Sequence, residues 1–206
     1  FWPVEAWTRK GNRELAVFFQ RFRPDHVIVS GNAPVVFGTL AFWKSISPDT
    51  VLSLFWPDML TNLQPMHINS ASLYDQVATY SKATIPVFQQ LGYKKAIWLP
   101  FAGDTEFLRS NDSIINESNS YTYDISFIGG WRPEREQAMT TIIEEFPNLR
   151  IGLRGHYWAR EVKNKKLRKF VNSESLYGAS FGKFFRSSRI NLNVIDDTNF
   201  PAANMR

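Results

Sequence analysis

Two short stretches, "FIGGWRPERE" (127–136) and "GLRGHYW" (152–158), each set arginine and an aromatic residue beside glycine at the end of an apolar run. That combination suits an anion joined to a flat ring. A guanidinium holds a phosphate through two parallel hydrogen bonds, an aromatic side chain stacks on a base, and glycine lets a ligand approach the backbone. The residues this marks are Gly129, Gly130, Trp131, Arg132, Arg154, His156 and Tyr157. Arg132 and Arg135 fall at a helix start, where the helix dipole alone favours acids, so a nearby phosphate would account for them; Glu134 and Glu136 in the same turn count against it. The spacing matches neither the G-x-G-x-x-G of a dinucleotide fold nor the G-x-x-x-x-G-K of a P-loop. Tight packing is the competing account of the two glycines, with positive φ or close ligand approach at Gly130 as the functional one. His156 on its own is a residue type more often packed or exposed than catalytic.

A group that accepts a proton from a hydroxyl needs a carboxylate or imidazole within reach of it. Asp58 follows the run "TVLSLFW", His67 lies in the next loop, and Asn32 closes the run "HVIVSGN". Asp58 is the first choice as base, because α/β folds place their sites at the carboxyl ends of strands. A structural role competes with this reading at all three. Asn191 and Asn193 alternate with apolar residues, a pattern that fits either a ligand contact or the capping of a loop. Asp196 and Asp197 do not make a metal site by this reading, since adjacent side chains in an extended segment point to opposite faces.

The elements that must position these residues alternate. A helix at 12–22 carries Leu15, Phe18, Phe19 and Phe22 on one side and is stopped by Pro24. Strands follow in "HVIVSGN", "TVLSLFW", 76–81 and "KKAIWLPFAGD", with helices in "APVVFGTLAFWKSI" and "TIPVFQQLG". After a Ser- and Asn-rich stretch at 109–122 the alternation restarts. A strand at 123–128 leads into a helix with Pro133 in its first turn and Ala138, Met139, Ile142, Ile143 and Phe146 on one face; then come "LRIGLRG", a basic helical segment and "RINLNVI". Strands separated by helices at this spacing predict parallel sheets built from βαβ units. The expected organisation is therefore α/β with two Rossmann-like domains, at 1–110 and 123–206, joined by a linker at 111–122.

Composition bounds the partners. The 206 residues are 44% hydrophobic and hold no cysteine, which excludes disulfides and thiolate chemistry. No apolar run reaches the roughly 20 residues that cross a bilayer and no signal peptide is visible, so a cytoplasmic location is expected. The net charge of +5 favours anionic partners, and the excess concentrates at 150–169, where Arg150, Arg154, Arg160, Lys163, Lys165, Lys166, Arg168 and Lys169 face the single acid Glu161. A solvated helix face is the plain account of that run; phosphate binding or peripheral membrane contact is the alternative. No nucleic-acid-binding signature is present, and Phe18, Phe19 and Phe22 fall at core positions by their spacing, so a nucleic-acid partner is not expected.

"YDISFIGGWRPERE", "LRIGLRGHYW", "SSRINLNV" and "FPAANMR" together resemble the C-terminal domain of bacterial CgeB-like glycosyltransferases, and "VATYSKATIPVFQQLGYKKAIWLPFAGD" is similar to the segment that ends their N-terminal domain. The resemblance covers about 76–206. It implies the GT-B architecture of two facing Rossmann-like domains, the second holding a nucleoside-diphosphate sugar and the first an acceptor, which can be a glycan, a lipid or a protein. It implies transfer of the sugar without a bound metal or other cofactor. The donor side would comprise Gly129, Gly130, Trp131, Arg132, Arg154, His156, Tyr157, Asn193 and Arg206; the acceptor side Asn32 and His67, with Asp58 as catalytic base. The family pattern continues past Arg206 and begins with a further strand, so a truncated chain with both domains incomplete is expected. A noncatalytic module that binds a nucleotide or saccharide through the same fold is the alternative function.

Overall fold

Helix α1 (Ala6–Phe22) opens the described chain and ends where Arg23 turns left-handed, at φ 50°, ahead of Pro24. The computed structural model describes residues 5–103 and 121–195. The expected linker at 111–122 lies outside them except for Tyr121 and Thr122, and Asp196, Asp197 and Arg206 also lie outside. The chain divides into two units, Phe1–Phe101 and Ala102–Arg206.

In the first unit the apolar runs become four parallel strands, β1 (His26–Ser30), β2 (Val51–Trp56), β3 (Gln76–Thr79) and β4 (Ala96–Trp98), side by side in chain order. Leu54 stands opposite Val29 on one side and Val77 on the other. Parallel neighbours need long connections. These carry α2 (Phe37–Ile46), α3 (Pro65–Asn69) and α4 (Ile85–Gln90). Leu40, Leu52, Leu54, Val77 and Phe88 are fully buried in the core. The strands are shorter than the sequence suggests: the fourth covers only three residues of its run, and the third stops before Tyr80.

Helix α1 differs from expectation in its register. It starts six residues earlier, and its buried residues are Thr8, Asn12 and Phe19, while Phe18 and Phe22 are 62% and 66% exposed. Phe19 stacks on Trp43 of α2 with ring centroids 5.0 Å apart. Buried Asn12 is fully used: its amide donates to the Pro34 carbonyl (2.8 Å), and its oxygen accepts from Val36 N (3.0 Å) and Thr39 Oγ1 (2.8 Å). A polar group costs free energy to bury unless it is paired. Here the pairing fixes the loop between β1 and α2, the loop that carries Asn32.

The second unit has strands β5 (Tyr123–Ile128), β6 (Ile151–Arg154), β7 (Val171–Asn172) and β8 (Ser188–Leu192), all parallel, in the order β7-β6-β5-β8. Its helices are α5 (Pro133–Glu145), α6 (Trp158–Glu161), α7 (Lys165–Arg168) and α8 (Gly178–Arg186). Phe127, Met139, Leu153, Trp158 and Leu167 form the centre of its core. The basic segment is two single turns rather than one helix, and much of its charge is engaged: Arg150 pairs with Asp124 (2.8 Å), Arg160 with Glu161 (2.6 Å), and Arg168 donates to the Val162 carbonyl (2.9 Å). Both are four-stranded parallel α/β sheets of Rossmann-like kind.

Candidate functional site

The chain leaves β5 in one direction to form β6 and β7, and β8 returns to the other side of β5. This reversal is the switch point at which open α/β sheets bind ligands, in the crevice beyond the carboxyl ends of the strands. Because all the strands are parallel, Gly129, Arg154 and Asn193 emerge at the same edge of the sheet.

The two glycine turns at that edge are locked together. Gly129 N donates to the Arg154 carbonyl and Trp131 N to the His156 carbonyl, both at 2.9 Å, which extends the β5–β6 ladder past its last residues. The buried Trp158 indole donates to the Gly129 carbonyl (2.7 Å). Gly155 has φ +142°, and a Cβ built on it would lie 2.0 Å from Gly129 O, so glycine is required there by space and by conformation. Gly130 does not carry that requirement. It is not a positive-φ residue, and the nearest atom to its hypothetical Cβ is 3.9 Å away. The expectation of positive φ at Gly130 is thus corrected to Gly155.

Arg135 is corrected as well. It is 4% exposed and donates to the carbonyls of Gly130 (2.8 Å) and Val194 (3.2 Å), so it ties the β5 turn to the segment after β8. A guanidinium used in this way is not offered to a phosphate. The neighbouring Glu136 is also structural. It accepts from the Trp131 indole (2.6 Å) and from the backbone N–H of Lys163 (2.7 Å) and Asn164 (2.8 Å). Burial works to raise its pKa, and these hydrogen bonds outweigh burial and hold it below the usual carboxylate range.

Around this frame the marked side chains take different roles. Arg132, the residue just before α5, is exposed; its carbonyl accepts from Glu136 N (3.0 Å), and its side chain has no hydrogen bond or ion pair among the described residues. Arg154 is largely covered, paired with Glu174 at 2.7 Å and set over the Phe184 ring at 5.3 Å. His156 is exposed, with Nε2 3.5 Å from Ser175 Oγ. Tyr157 is 60% exposed in a left-handed conformation (φ 70°), with Arg160 over its ring. Asn193 is exposed just past β8. Asn191 is taken by the fold, accepting from Ser126 Oγ (2.7 Å) and donating to the Phe185 carbonyl (3.0 Å).

In the first unit, Asn32, Asp58 and His67 line one cavity of about 310 Å³ at the carboxyl ends of β1 and β2, with Asn62, Gln64 and Met66 also in its wall. His67 is buried, and both its ring nitrogens are engaged: Nε2–H donates to the Gly31 carbonyl and Nδ1 accepts from Gln64 N, each at 2.9 Å. Burial pushes its pKa below the ordinary imidazole value. Gly31 is held from the other side too, since a Cβ there would lie 2.6 Å from the Trp56 ring. Asp58 accepts from Met59 N and from Asn62 Nδ2, both at 2.8 Å. Asn32 is exposed, and its side chain has no partner among the described residues.

Sequence reasoning did not single out Gly155 within the second glycine turn, took Glu136 only as a charge that counts against a phosphate, and missed Glu174, Asn62 and Gln64. A signal existed for one more: Arg135 stands four residues before Met139 and eight before Ile143, on the stripe that α5 buries. Nothing local marks Glu174, which reaches Arg154 from a different connection. Among the described residues, no group of three or more His, Cys, Asp or Glu side chains has the arrangement of a metal site. No helix among them is long and apolar enough to cross a membrane.

No protein-family model matches the chain, and no curated protein matches it. Solved structures do match. The UDP-GlcNAc 2-epimerase from Neisseria meningitidis bound to UDP-GlcNAc is 14% identical, with a TM-score of 0.50 over 89% of this chain and 58% of that one. The UDP-GlcNAc 2-epimerase from Methanocaldococcus jannaschii is 10% identical, with a TM-score of 0.51 over 92% and 62%. MnaA from S. aureus in a co-structure with UDP is 14% identical, with a TM-score of 0.51 over 92% and 59%. At these identities the likeness is one of fold. The chain spans about three fifths of the length of these structures.

Proposed function

We propose that the chain is the nucleotide-sugar-handling part of a glycosyltransferase of the CgeB-like type, with the donor diphosphate at the carboxyl edge of the second sheet. The observation that carries this reading is the switch point beside β5, where Arg132 is exposed and unpaired next to two interlocked glycine turns. An unpaired cation at the start of a 13-residue helix is unfavourable by itself and becomes favourable beside an anion. Arg132 supplies charge to the diphosphate, Tyr157 and His156 offer ring faces, and Asn193 offers an amide. Trp131 and Arg154 act one step back by holding the turn and the strand end, through Glu136 and Glu174. By the family resemblance alone, Arg206, which lies outside the described residues, is proposed as a further donor residue.

In the reaction the acceptor hydroxyl oxygen bonds to the anomeric carbon as the bond from that carbon to the diphosphate oxygen breaks. The hydroxyl proton passes to a carboxylate base, the role proposed for Asp58 on the acceptor side, and the nucleoside diphosphate departs with the bonding pair. Asn32 and His67 belong to the acceptor side, His67 by fixing the Gly31 turn.

A second reading is nucleotide-sugar epimerisation, favoured by the fold likeness to structures described as UDP-GlcNAc 2-epimerases. Incubation with UDP-GlcNAc and a panel of other nucleotide sugars separates the readings. Glycosyl transfer releases nucleoside diphosphate with an acceptor present, epimerisation yields an isomer of unchanged mass, and a binding module does neither while its melting temperature rises with UDP, GDP, TDP or CMP. No release of nucleoside diphosphate with any donor and acceptor pair defeats the transferase reading.

A further inference from the structure

The cavity in the first unit carries enough chemistry to name what it holds. Its polar lining includes the Asn32, Asn62 and Gln64 amides and the Asp58 carboxylate beside His67 and Trp56, with Met66 and Pro34 supplying apolar surface. No Lys or Arg is among its lining residues. His67 adds no positive charge, because Nδ1 already accepts a hydrogen bond from Gln64 N and burial disfavours the imidazolium. The pocket therefore presents donors and acceptors for neutral groups together with one negative charge.

We infer that this cavity binds a neutral, hydroxyl-rich ring, a single pyranose unit of a saccharide, and rejects anionic ligands. Each amide can donate to one sugar hydroxyl and accept from another, a carboxylate accepts from hydroxyls strongly, and C–H faces of a pyranose lie against Met66 and Pro34. A volume of about 310 Å³ fits one small ring rather than a length of polymer. An anion would meet the Asp58 carboxylate with no cation to offset it, and like charges brought together in a partly desolvated site are strongly disfavoured. The shape of the cavity is fixed before any ligand arrives. Gly31 is held between the Trp56 ring and His67, and Asn12 fixes the backbone from Pro34 to Val36. Naming this saccharide as the acceptor rests on the transferase reading above; the binding itself does not.

The test is titration of the 206-residue protein with methyl α- and β-glycosides of glucose, galactose, mannose and N-acetylglucosamine, followed by ligand-observed NMR and calorimetry, with methyl glucuronide and glucose 6-phosphate as anionic counterparts. At least one neutral glycoside should bind, and the anionic partners should bind at least about tenfold more weakly. Asn32→Ala removes an amide that makes no internal bond, so it should weaken the neutral sugar about tenfold with an unchanged melting temperature. Asp58→Asn should narrow the preference for neutral over anionic sugar, an effect that a purely structural role would not produce. Failure of every neutral glycoside, equal or tighter binding of the anionic sugars, or unchanged affinity in Asn32→Ala overturns the inference. UDP titrated into the same sample separates the two proposals. Binding of UDP without any glycoside defeats only the saccharide site, and binding of a glycoside without any nucleoside diphosphate defeats only the nucleotide-sugar reading.

Discussion

The carbonyl oxygen of Gly129 occupies the space a side chain on Gly155 would need: a Cβ there would come within 2.0 Å of it. The two glycine turns are thus one structure, with the Trp158 indole closing over the same carbonyl. Gly155→Ala has to push the turns apart or leave φ +142°, and should destabilise the second unit by about 3 kcal/mol or more. Gly130→Ala meets only ordinary contact and should change stability by less than ~1 kcal/mol. Urea denaturation of the two variants, compared at equal m-value, checks the contrast; equal losses would show that the turns are not locked through Gly155.

The arginines of the same turn separate in the opposite sense. Arg135→Met keeps the bulk and removes the donors to the Gly130 and Val194 carbonyls, which should cost about 2–4 kcal/mol of stability because both acceptors lose a charged partner. Arg132→Ala removes an exposed side chain and should stay within ~0.5 kcal/mol of the parent in stability. Its effect should fall on the ligand. Loss of a charge-assisted contact to a diphosphate corresponds to roughly 1.5–3 kcal/mol of binding. Calorimetry with UDP beside a denaturant series measures both quantities, and unchanged UDP affinity would leave Arg132 as surface charge.

These contrasts show how far a sequence can be read. The strands were legible because β-branched and aromatic runs such as "HVIVS" and "VLSLFW" are bounded by turn residues, and their alternation with helices implies parallel sheets. The stretch from Val171 to Arg186 was not legible. β7 is two residues long, and Gly178 and Gly182 interrupt the apolar pattern of α8. Helix α1 misled in another way. An aromatic stripe at helical spacing reads as core, yet the face it buries is set by Asn12, whose hydrogen bonds to Pro34, Val36 and Thr39 bind it to the β1–α2 connection and the first turn of α2 and leave Phe18 and Phe22 in solvent. In the sites, Gly130 and Gly155 both read as turn glycines, and only the backbone shows that Gly155 is the one with no room for a side chain. Asn32 and Asp58 were found at strand ends and His67 in the loop that follows, but their common cavity follows from the β1–β2 register.

Asp75 at the opposite edge of the first sheet predicts an acid limb of stability. Its carboxylate receives Lys44 at 2.7 Å, Leu52 N at 2.8 Å and Lys94 at 2.9 Å. Burial works to raise its pKa, and these partners overcome burial and hold it down to about 2. A folded-state pKa below the unfolded one means the unfolded chain takes up the proton first. The contribution, on the order of 2 kcal/mol, is therefore fully present above about pH 4 and lost as pH falls toward 2. Asp75→Asn should lower stability at neutral pH and flatten the decline between pH 4 and 2. An unfolding free energy that falls equally steeply in both proteins would place the acid sensitivity elsewhere.

Asp58 makes the turn after β2 and is also the proposed base, and the two roles predict different losses. As a turn residue it accepts from Met59 N and Asn62 Nδ2. Asp58→Asn keeps an oxygen for Met59 N and replaces the other with a donor facing the Asn62 amide, so stability should drop by only ~1 kcal/mol. As a base it takes the acceptor proton, and an amide cannot. Turnover should then fall by roughly 10²–10⁴ while the affinity for the nucleotide sugar stays nearly the same, because the proton moves in the transition state and the proposed donor site lies on the other sheet. Asp58→Glu keeps the basicity and displaces it by one methylene, so it should recover part of the turnover. Steady-state kinetics with saturating donor, set beside the thermal stability of each variant, distinguishes these outcomes. Turnover that tracks stability alone across Asn and Glu would leave Asp58 as the residue that shapes the turn and remove it from the chemistry.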